Sequence, residues 1–513
     1  MIRKMVIGTP ILLGLVIAST AYAQYSGNAW STAYQVVNMG SSPANIQINY
    51  YDPSGVEQTA AQRSYSSVPA GSSVLVVQFS DDTSLASGRY SAVISADQPI
   101  AAVANQQLVP SGSASYSPVP PFSTYGGESQ GSSTITLPAV MYNWYGYYTE
   151  MFIMNIGSAT ASDVDITFAP GNIGGNPTGA SGVTDLNNSI PQYASSEKSQ
   201  ESLTALGAPS GPFVGRFLGS ATITADQPIV AVVNQHNTSD YKLMTYNGFV
   251  DGATSVAVPS VMRGYYGYYT TLLIANPSSS TTANISIDYT PNTTEVYYNQ
   301  AEPGSTIAPV SVNFALAPQM ALTRYDGPGA TDAQSDLDDP PNAYVKFYGS
   351  ALVTSDIPVM VQVNVEAVAT GDGQAGSYNG IPTTQATQNI VVPVVLSDFY
   401  GYYTNLVVQN TGSTGGSCSV TYTSDSTYSA VPNNSAVYNH AVPANGTFTV
   451  YEGRKGGLEI GDINSDPQWR AGGNRQFIGA ATIQCDVNVV ALVNEEADIA
   501  QRDSMYTFNT FNN

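Results

Sequence analysis

Trp144-Tyr145-Gly146-Tyr147-Tyr148-Thr149 returns as Tyr265-Tyr266-Gly267-Tyr268-Tyr269-Thr270 and again as Phe399-Tyr400-Gly401-Tyr402-Tyr403-Thr404. A proline (Pro138, Pro259, Pro393) stands eight residues before each glycine, and an apolar run carries each block to an asparagine (Asn155, Asn276, Asn410). Proline to asparagine is 17 residues every time (155−138, 276−259, 410−393). A segment copied without insertion is held at both ends, so it reads as a buried strand of a repeated unit. Counting back from Asn38 extends the pattern to an earlier copy, where Trp30, Tyr34 and Val36 match Tyr147, Met151 and Ile153. The alternation Trp30/Tyr34/Val36, Tyr268/Leu272/Ile274 and Tyr402/Leu406/Val408 puts one apolar face inward, as a strand requires. The other face mixes Glu150, Thr271 and Asn405 with apolar residues, which predicts a partly covered sheet.

After each asparagine comes a turn such as Asn38-Met39-Gly40-Ser41 or Asn155-Ile156-Gly157-Ser158, then another alternating strand (Ile46/Ile48/Tyr50, Val164/Ile166/Phe168, Ile285/Ile287/Tyr289, Val420/Tyr422). Asn and Gly tolerate positive φ, so a hairpin is expected. Each unit closes on a second signature around Asp97, Asp226, Asp356 and Asp486, with an asparagine eight residues later (Asn105, Asn234, Asn364, Asn494). Asp followed by Gln-Pro or its equivalent reads as another hairpin turn. Six or seven short strands per unit predict an all-β chain of four Greek-key β-sandwiches. The boundaries read as 24–125, 133–253, 254–387 and 388–513.

Residues 1–23 read differently. Met1-Ile2-Arg3-Lys4, an apolar run from Ile11 to Ala18 and Ala21-Tyr22-Ala23 make a secretory leader cut before Gln24. The first unit should therefore lack its opening strand, leaving a groove that another subunit's strand would fill. The apolar run is too short to span a bilayer, and no later stretch is long enough. A secreted or cell-surface protein is expected.

Only 10% of residues are charged, yet the net charge is −22, with 15 Lys+Arg against 37 Asp+Glu. That balance makes nucleic acid and anionic membrane surfaces poor partners. The remaining surface falls to Ser, Thr, Asn, Gln, Gly and 35 tyrosines.

The run Met154-Asn155-Ile156-Gly157-Ser158 through Ala161 to Phe168, with Val68-Pro69-Ala70-Gly71-Ser72-Ser73, resembles exported immunoglobulin-like (CARDB-type) modules of microbial surface proteins. The resemblance covers about half of each unit and stops at the Tyr-Gly-Tyr-Tyr-Thr strand. It implies immunoglobulin-like sandwiches in tandem and a surface or scaffold role, with no catalytic residues to carry over.

Cys418 aligns with Ile46, and Cys485 with Ala96 and Ala225, all on inward-facing strands; an even count in an exported chain favours a disulfide over two buried free thiols. Two acidic stretches have oxygen ligands that would suit calcium: Asp332, Asp336, Asp338 and Asp339, and the alternating Asp462, Asn464 and Asp466. Pro467 sits where a calcium loop wants glycine, so a solvated acidic loop fits better. His236 and His440 lie in different units without a repeated partner, and Gly127-Glu128-Ser129-Gln130-Gly131 spells a nucleophile elbow in a Gly/Ser linker, the wrong context. Tyr147, Tyr268 and Tyr402 suit either strand packing or an aromatic platform for sugars.

These features together lead to a non-catalytic surface protein: a structural scaffold, an adhesin, or a subunit of an extracellular layer or filament. Its partners would be other surface proteins, copies of itself or extracellular glycans, and no cofactor is required. The alternative is an array of carbohydrate-binding modules using tyrosine-rich surfaces.

Overall fold

The computed structural model describes residues 11–17, 28–78, 84–86, 88–110, 122–237, 242–292, 298–299, 309–328, 330, 334–337, 344–367, 374–399, 401–425, 429–432, 434–455, 458–471, 473–497, 505–509 and 511–512. The chain is nearly all β, with four stretches that share one strand order. In the second stretch this runs Ser132–Tyr142 (the opening strand), Tyr147–Asn155 (second), Ala161–Pro170 (third), Thr184–Ile190 (fourth), Ser195–Ser199 (fifth), Phe217–Asn237 (long) and Lys242–Asn247 (last). Opening, long, third and fourth strands form one layer, and fifth, second, long and last form the other, all antiparallel.

The long strands Phe217–Asn237, Tyr344–Ala367 and Phe477–Ala497 thus belong to both layers. The hairpin expected at Asp226, Asp356 and Asp486 is corrected: the chain continues through a corner and changes pairing partners. The aspartate closes no turn. Its carboxylate accepts from the backbone N–H that begins the third strand: Asn45 to Asp97 at 2.7 Å, Ser162 to Asp226 at 3.0 Å, Asn284 to Asp356 at 2.8 Å and Ser417 to Asp486 at 2.7 Å. Only the first stretch breaks there, into Tyr90–Ala96 and Ile100–Pro110.

The first unit also differs at its start. Strand Ile11–Ile17, from the run read as a leader core, lies antiparallel on Tyr90–Ala96 with Leu13 opposite Ile94. Ile135 opposite Ile223, Val256 opposite Val353 and Ile390 opposite Ile483 occupy the same register in the other units. The place expected to be empty is therefore filled in this chain, because an apolar seven-residue run satisfies the ladder of a strand edge.

Each unit buries its core between its layers, as with Met151, Ile153, Val164, Ile166, Ile223 and Val233 in the second. The face expected to be partly covered is instead covered by a neighbour. Phe152, Met154, Val230 and Val232 of the second unit pack into the first unit's core. Leu273 of the third enters the second, Val407 and Leu492 of the fourth enter the third, and Val103 of the first enters the fourth. Glu150 is consequently only 4% exposed. The order first, second, third, fourth, first closes on itself, so the four units form a ring whose cores are continuous from one to the next. A heterologous contact that repeats with the right rotation closes in this way.

Polar contacts follow the same circuit. Gln106 Nε2 donates to Asn234 Oδ1 at 2.7 Å, and Asn364 Nδ2 donates to Gln235 Oε1 at 2.7 Å. The last strands Phe122–Gly126, Lys242–Asn247, Ala375–Asn379 and Met505–Asn509 meet along the middle of the ring, each touching two others. A recess of about 270 Å³ lies there, lined by polar residues such as Thr124, Glu128 and Thr507 and by Tyr125, Tyr246 and Tyr378. No helix among the described residues is long and apolar enough to cross a membrane.

Candidate functional site

The block that defines the repeat folds into a hairpin tip. Trp144 and Tyr147 exchange both backbone hydrogen bonds at 3.0 Å, and Phe399 and Tyr402 do the same at 3.3 and 3.0 Å. The two residues between have positive φ: 51° and 87° at Tyr145 and Gly146, and 49° and 84° at Tyr266 and Gly267. That is the type I′ turn whose twist matches a two-residue hairpin, and its first position normally takes Asn, Asp or Gly. Tyrosine there is strained by its own Cβ. The strain presents the ring to solvent: Tyr145 is 63% and Tyr266 61% exposed. Tyr400 lies outside the described residues.

Behind each exposed tyrosine stand a second aromatic ring and a cation. Trp144 meets Tyr145 edge-on at 5.3 Å and Phe213 at 5.2 Å, while the Arg216 guanidinium lies 4.3 Å from the centre of the Tyr145 ring. In the third unit Tyr265 meets Tyr266 edge-on at 4.7 Å and stacks on Tyr348 at 4.7 Å. Lys346 Nζ lies 4.8 Å from the Tyr265 ring and 5.1 Å from Tyr266. Arg216 and Lys346 hold the same register, one residue before Phe217 and Phe347, which pair with Tyr142 and Arg263. Two of the chain's 15 basic residues are thus spent at equivalent tips. An exposed aromatic face beside a cation suits stacking on a ring with hydroxyl or carboxylate substituents.

The tyrosines singled out from sequence sit one turn deeper. The Tyr147 hydroxyl bonds the carboxylate of Glu366 in the third unit, which also accepts from Lys242 at 3.2 Å. Tyr402 packs on Phe122 of the first unit with ring centres 6.2 Å apart, and Tyr268 bonds Gln374. Sequence reasoning passed over Tyr145 and Tyr266, although the aromatic-Tyr-Gly-Tyr spelling of a two-residue turn was the available signal.

Of the acidic residues that would suit calcium, Asp332, Asp338 and Asp339 lie outside the described residues. Asp336 accepts from the Tyr289 hydroxyl at 2.6 Å and pairs with Arg324. Asp462 begins a short helix, Asp462–Ser465, and accepts from Tyr422 at 3.1 Å beside His440 Nε2 at 2.9 Å. Asn464 donates to the Gly453 carbonyl at 2.6 Å, and Asp466 caps the turn that follows by accepting from Gln468 N–H at 2.9 Å. These groups point into separate bonds, and no cluster of three metal-binding side chains occurs among the described residues.

Two acids not anticipated accept from backbone N–H groups in the described parts of both loops. Asp326 Oδ1 accepts from the backbone N–H groups of Asp336 and Leu337 at 2.8 and 2.7 Å. Glu452, at the matching place in the fourth unit, accepts from Asp462, Ile463 and Asn464 at 2.8, 2.8 and 2.9 Å. Burial pushes the Asp326 carboxyl up to about 6 and that of Glu452 up to about 8, while the N–H donors pull the other way.

His236 is 4% exposed, and burial pushes its imidazole down to about 4. Neither ring nitrogen has a hydrogen-bond partner among the described residues, and the Glu150 carboxylate is 3.9 Å away. Cys418 and Cys485 stand opposite each other on neighbouring strands and form a disulfide. They occupy the register of Ile46 and Ala96 in the first unit and of Val164 and Ala225 in the second.

No protein-family model matches the chain, and no curated protein matches it. A solved structure described as "Crystal Structure of Thermotoga maritima 1070" is similar over 26% of this chain and 95% of its own length, at 20% identity and a TM-score of 0.18. At that score the likeness fixes neither fold nor function.

Proposed function

We propose that this is a non-catalytic, exported surface protein, a scaffold or adhesin built of four immunoglobulin-like sandwiches, that presents its hairpin tips to an extracellular partner. The observation that carries the reading is the ring. Shared cores hold the units at fixed angles, so tips in different units keep a fixed spacing, and rigid presentation reduces the entropy lost when several contacts form together. A filament or layer subunit fits the same scaffold.

A second reading, an array of carbohydrate-binding modules, is favoured by the aromatic-plus-cation pairs Tyr145/Arg216 and Tyr266/Lys346. One experiment separates the two. Labelled protein is added to cell envelopes treated with protease or with periodate, alongside a Tyr145→Ala/Tyr266→Ala variant whose fold is checked by circular dichroism. Retention abolished by protease identifies a protein partner, and retention abolished by periodate identifies a glycan. No retention on untreated envelopes, or retention indifferent to the tyrosines, sinks the proposed use of the tips.

A further inference from the structure

We propose that the exported protein carries, along the edge of Tyr90–Ala96, a strand-binding groove for a different exported protein that supplies an extended apolar segment in trans. The proposal rests on the reading of residues 1–23 as a removed leader. Three of the four opening strands come from chain beyond that leader. They share one pattern: Ile135-Thr136-Leu137-Pro138-Ala139-Val140, Val256-Ala257-Val258-Pro259-Ser260-Val261 and Ile390-Val391-Val392-Pro393-Val394-Val395.

Each of these strands does two things. It completes a ladder on its own long strand, and it packs on the second strand of the next unit. Ser132–Tyr142 touches Tyr268–Ala275, Ala253–Tyr265 touches Tyr402–Asn410, and Thr387–Ser397 touches Asn28–Asn38. In the first unit both tasks fall to Ile11–Ile17, which pairs with Tyr90–Ala96 and touches Tyr147–Asn155. Removing the leader leaves Tyr90–Ala96 paired on its other edge alone, to Ala44–Tyr51. The bared seat spans seven register positions, from Tyr90 to Ala96. Its floor is the apolar cluster that joins Ala92, Ile94 and Ala96 to Phe152 and Met154 of the second unit. The groove is thus continuous with the contact between the first two units.

Backbone donors and acceptors beside an apolar floor are poorly served by water, and a strand added in the same register satisfies both. The occupant's chemistry follows from the three strands already seated in this way: an uncharged Ile/Val-x-Leu/Val-Pro-x-Val segment, running antiparallel to Tyr90–Ala96. A second copy of the chain holds all its own such segments between two units, so the donor is another protein.

Mass spectrometry of the exported protein first tests the leader. A chain beginning at Gln24 is expected, and one beginning before Ile11 overturns the leader reading and removes the vacancy. A synthetic peptide of residues 132–142 is then titrated calorimetrically into chains 24–513 and 1–513, with amide hydrogen exchange as a second readout. The expected result is 1:1 binding to 24–513, slowed exchange along Tyr90–Ala96, and binding at least tenfold weaker to 1–513. The same peptide with Leu137→Asp should not bind. In case 24–513 folds poorly, Leu13→Pro in chain 1–513 displaces the seated strand and should gain peptide binding. Equal binding to both chains, or no binding to either 24–513 or the Leu13→Pro chain, overturns the groove while leaving the leader reading intact.

Discussion

The side-chain amide of Gln35 donates to the carbonyl of Pro393, 3.0 Å away and 358 residues along the chain. Pro393 is one of the three repeated prolines, and Gln35 takes the place that Phe152, Leu273 and Val407 hold in the other units. This bond joins the fourth unit to the first. At the other junctions that position buries an apolar side chain in the neighbouring core.

If the ring is closed in solution, a charge placed at the fourth-to-first junction should open it. Val103 is 2% exposed, inside the fourth unit's core. Val103→Asp is expected to weaken that junction by about 3 kcal/mol or more. The radius of gyration by small-angle X-ray scattering should rise, while far-ultraviolet dichroism stays β-rich. Val103→Ile should change neither, and an unchanged scattering profile for the aspartate variant would speak against the closed ring.

The disulfide spans 67 residues and sits within one unit, so its loss should loosen that unit alone. Cys418→Ala/Cys485→Ala is expected to lower the stability of the fourth unit by about 2–4 kcal/mol. Hydrogen exchange should show the loss along Gly416–Ser424 and Phe477–Ala497 and spare Ala161–Pro170. A uniform loss across all units would mean that they unfold as one.

His236 gives a pH dependence whose sign is fixed. Its pKa is lowered to about 4 in the fold from 6.5, so the folded state binds fewer protons than the unfolded chain. The stability it contributes is complete above 6.5 and is lost as pH falls through 4, by up to about 3 kcal/mol. His236→Phe should flatten the melting-temperature profile between pH 6.5 and 4. The raised pKa of Glu452 has the opposite sign: its contribution is complete below 4.5 and disappears as pH rises through about 8. The two windows overlap between 4.5 and 6.5, so the difference between His236→Phe and the parent isolates the histidine. An unaltered acid limb in His236→Phe would disprove the assignment.

Tyr145 and Tyr266 oppose stability to presentation. Each holds a left-handed conformation that glycine adopts freely. Tyr145→Gly and Tyr266→Gly should each leave stability unchanged or raise it, by up to about 1 kcal/mol, while weakening retention on the envelope. A marked fall in melting temperature would show that the exposed rings serve folding rather than recognition.

Much of the architecture is legible in the sequence. Fixed spacing from Pro138 to Asn155 and its copies marked the second strand, and alternation such as Ile46/Ile48/Tyr50 marked the third, because period-two burial leaves a local trace. The buried asparagines fit too: Asn38 and Asn155 each donate to two backbone carbonyls and accept one N–H, which ties the turn from inside. The Asp-Gln-Pro corner misled because a turn-forming spelling is the same whether the chain reverses or merely changes layers. Only the distant N–H of Asn45 or Ser162 decides between the two. The tips were half legible: the words Trp-Tyr-Gly-Tyr and Tyr-Tyr-Gly-Tyr were seen, but which tyrosine faces water depends on turn handedness.

Composition and short spacing suffice to establish that this chain is all β, that its strand block is copied, and that it is acidic and rich in tyrosine, whereas tyrosines such as Tyr34, Tyr246 and Tyr422 turn out to be buried. Tertiary structure alone decided that Val103 enters a core more than 280 residues away (390−103), that Arg216 and Lys346 arrive beside exposed rings, and that Ile11–Ile17 takes the fourth opening position. Such pairings depend on how twisted sheets rotate successive units about a common axis, and that rotation sums small backbone angles over whole domains that no local pattern records.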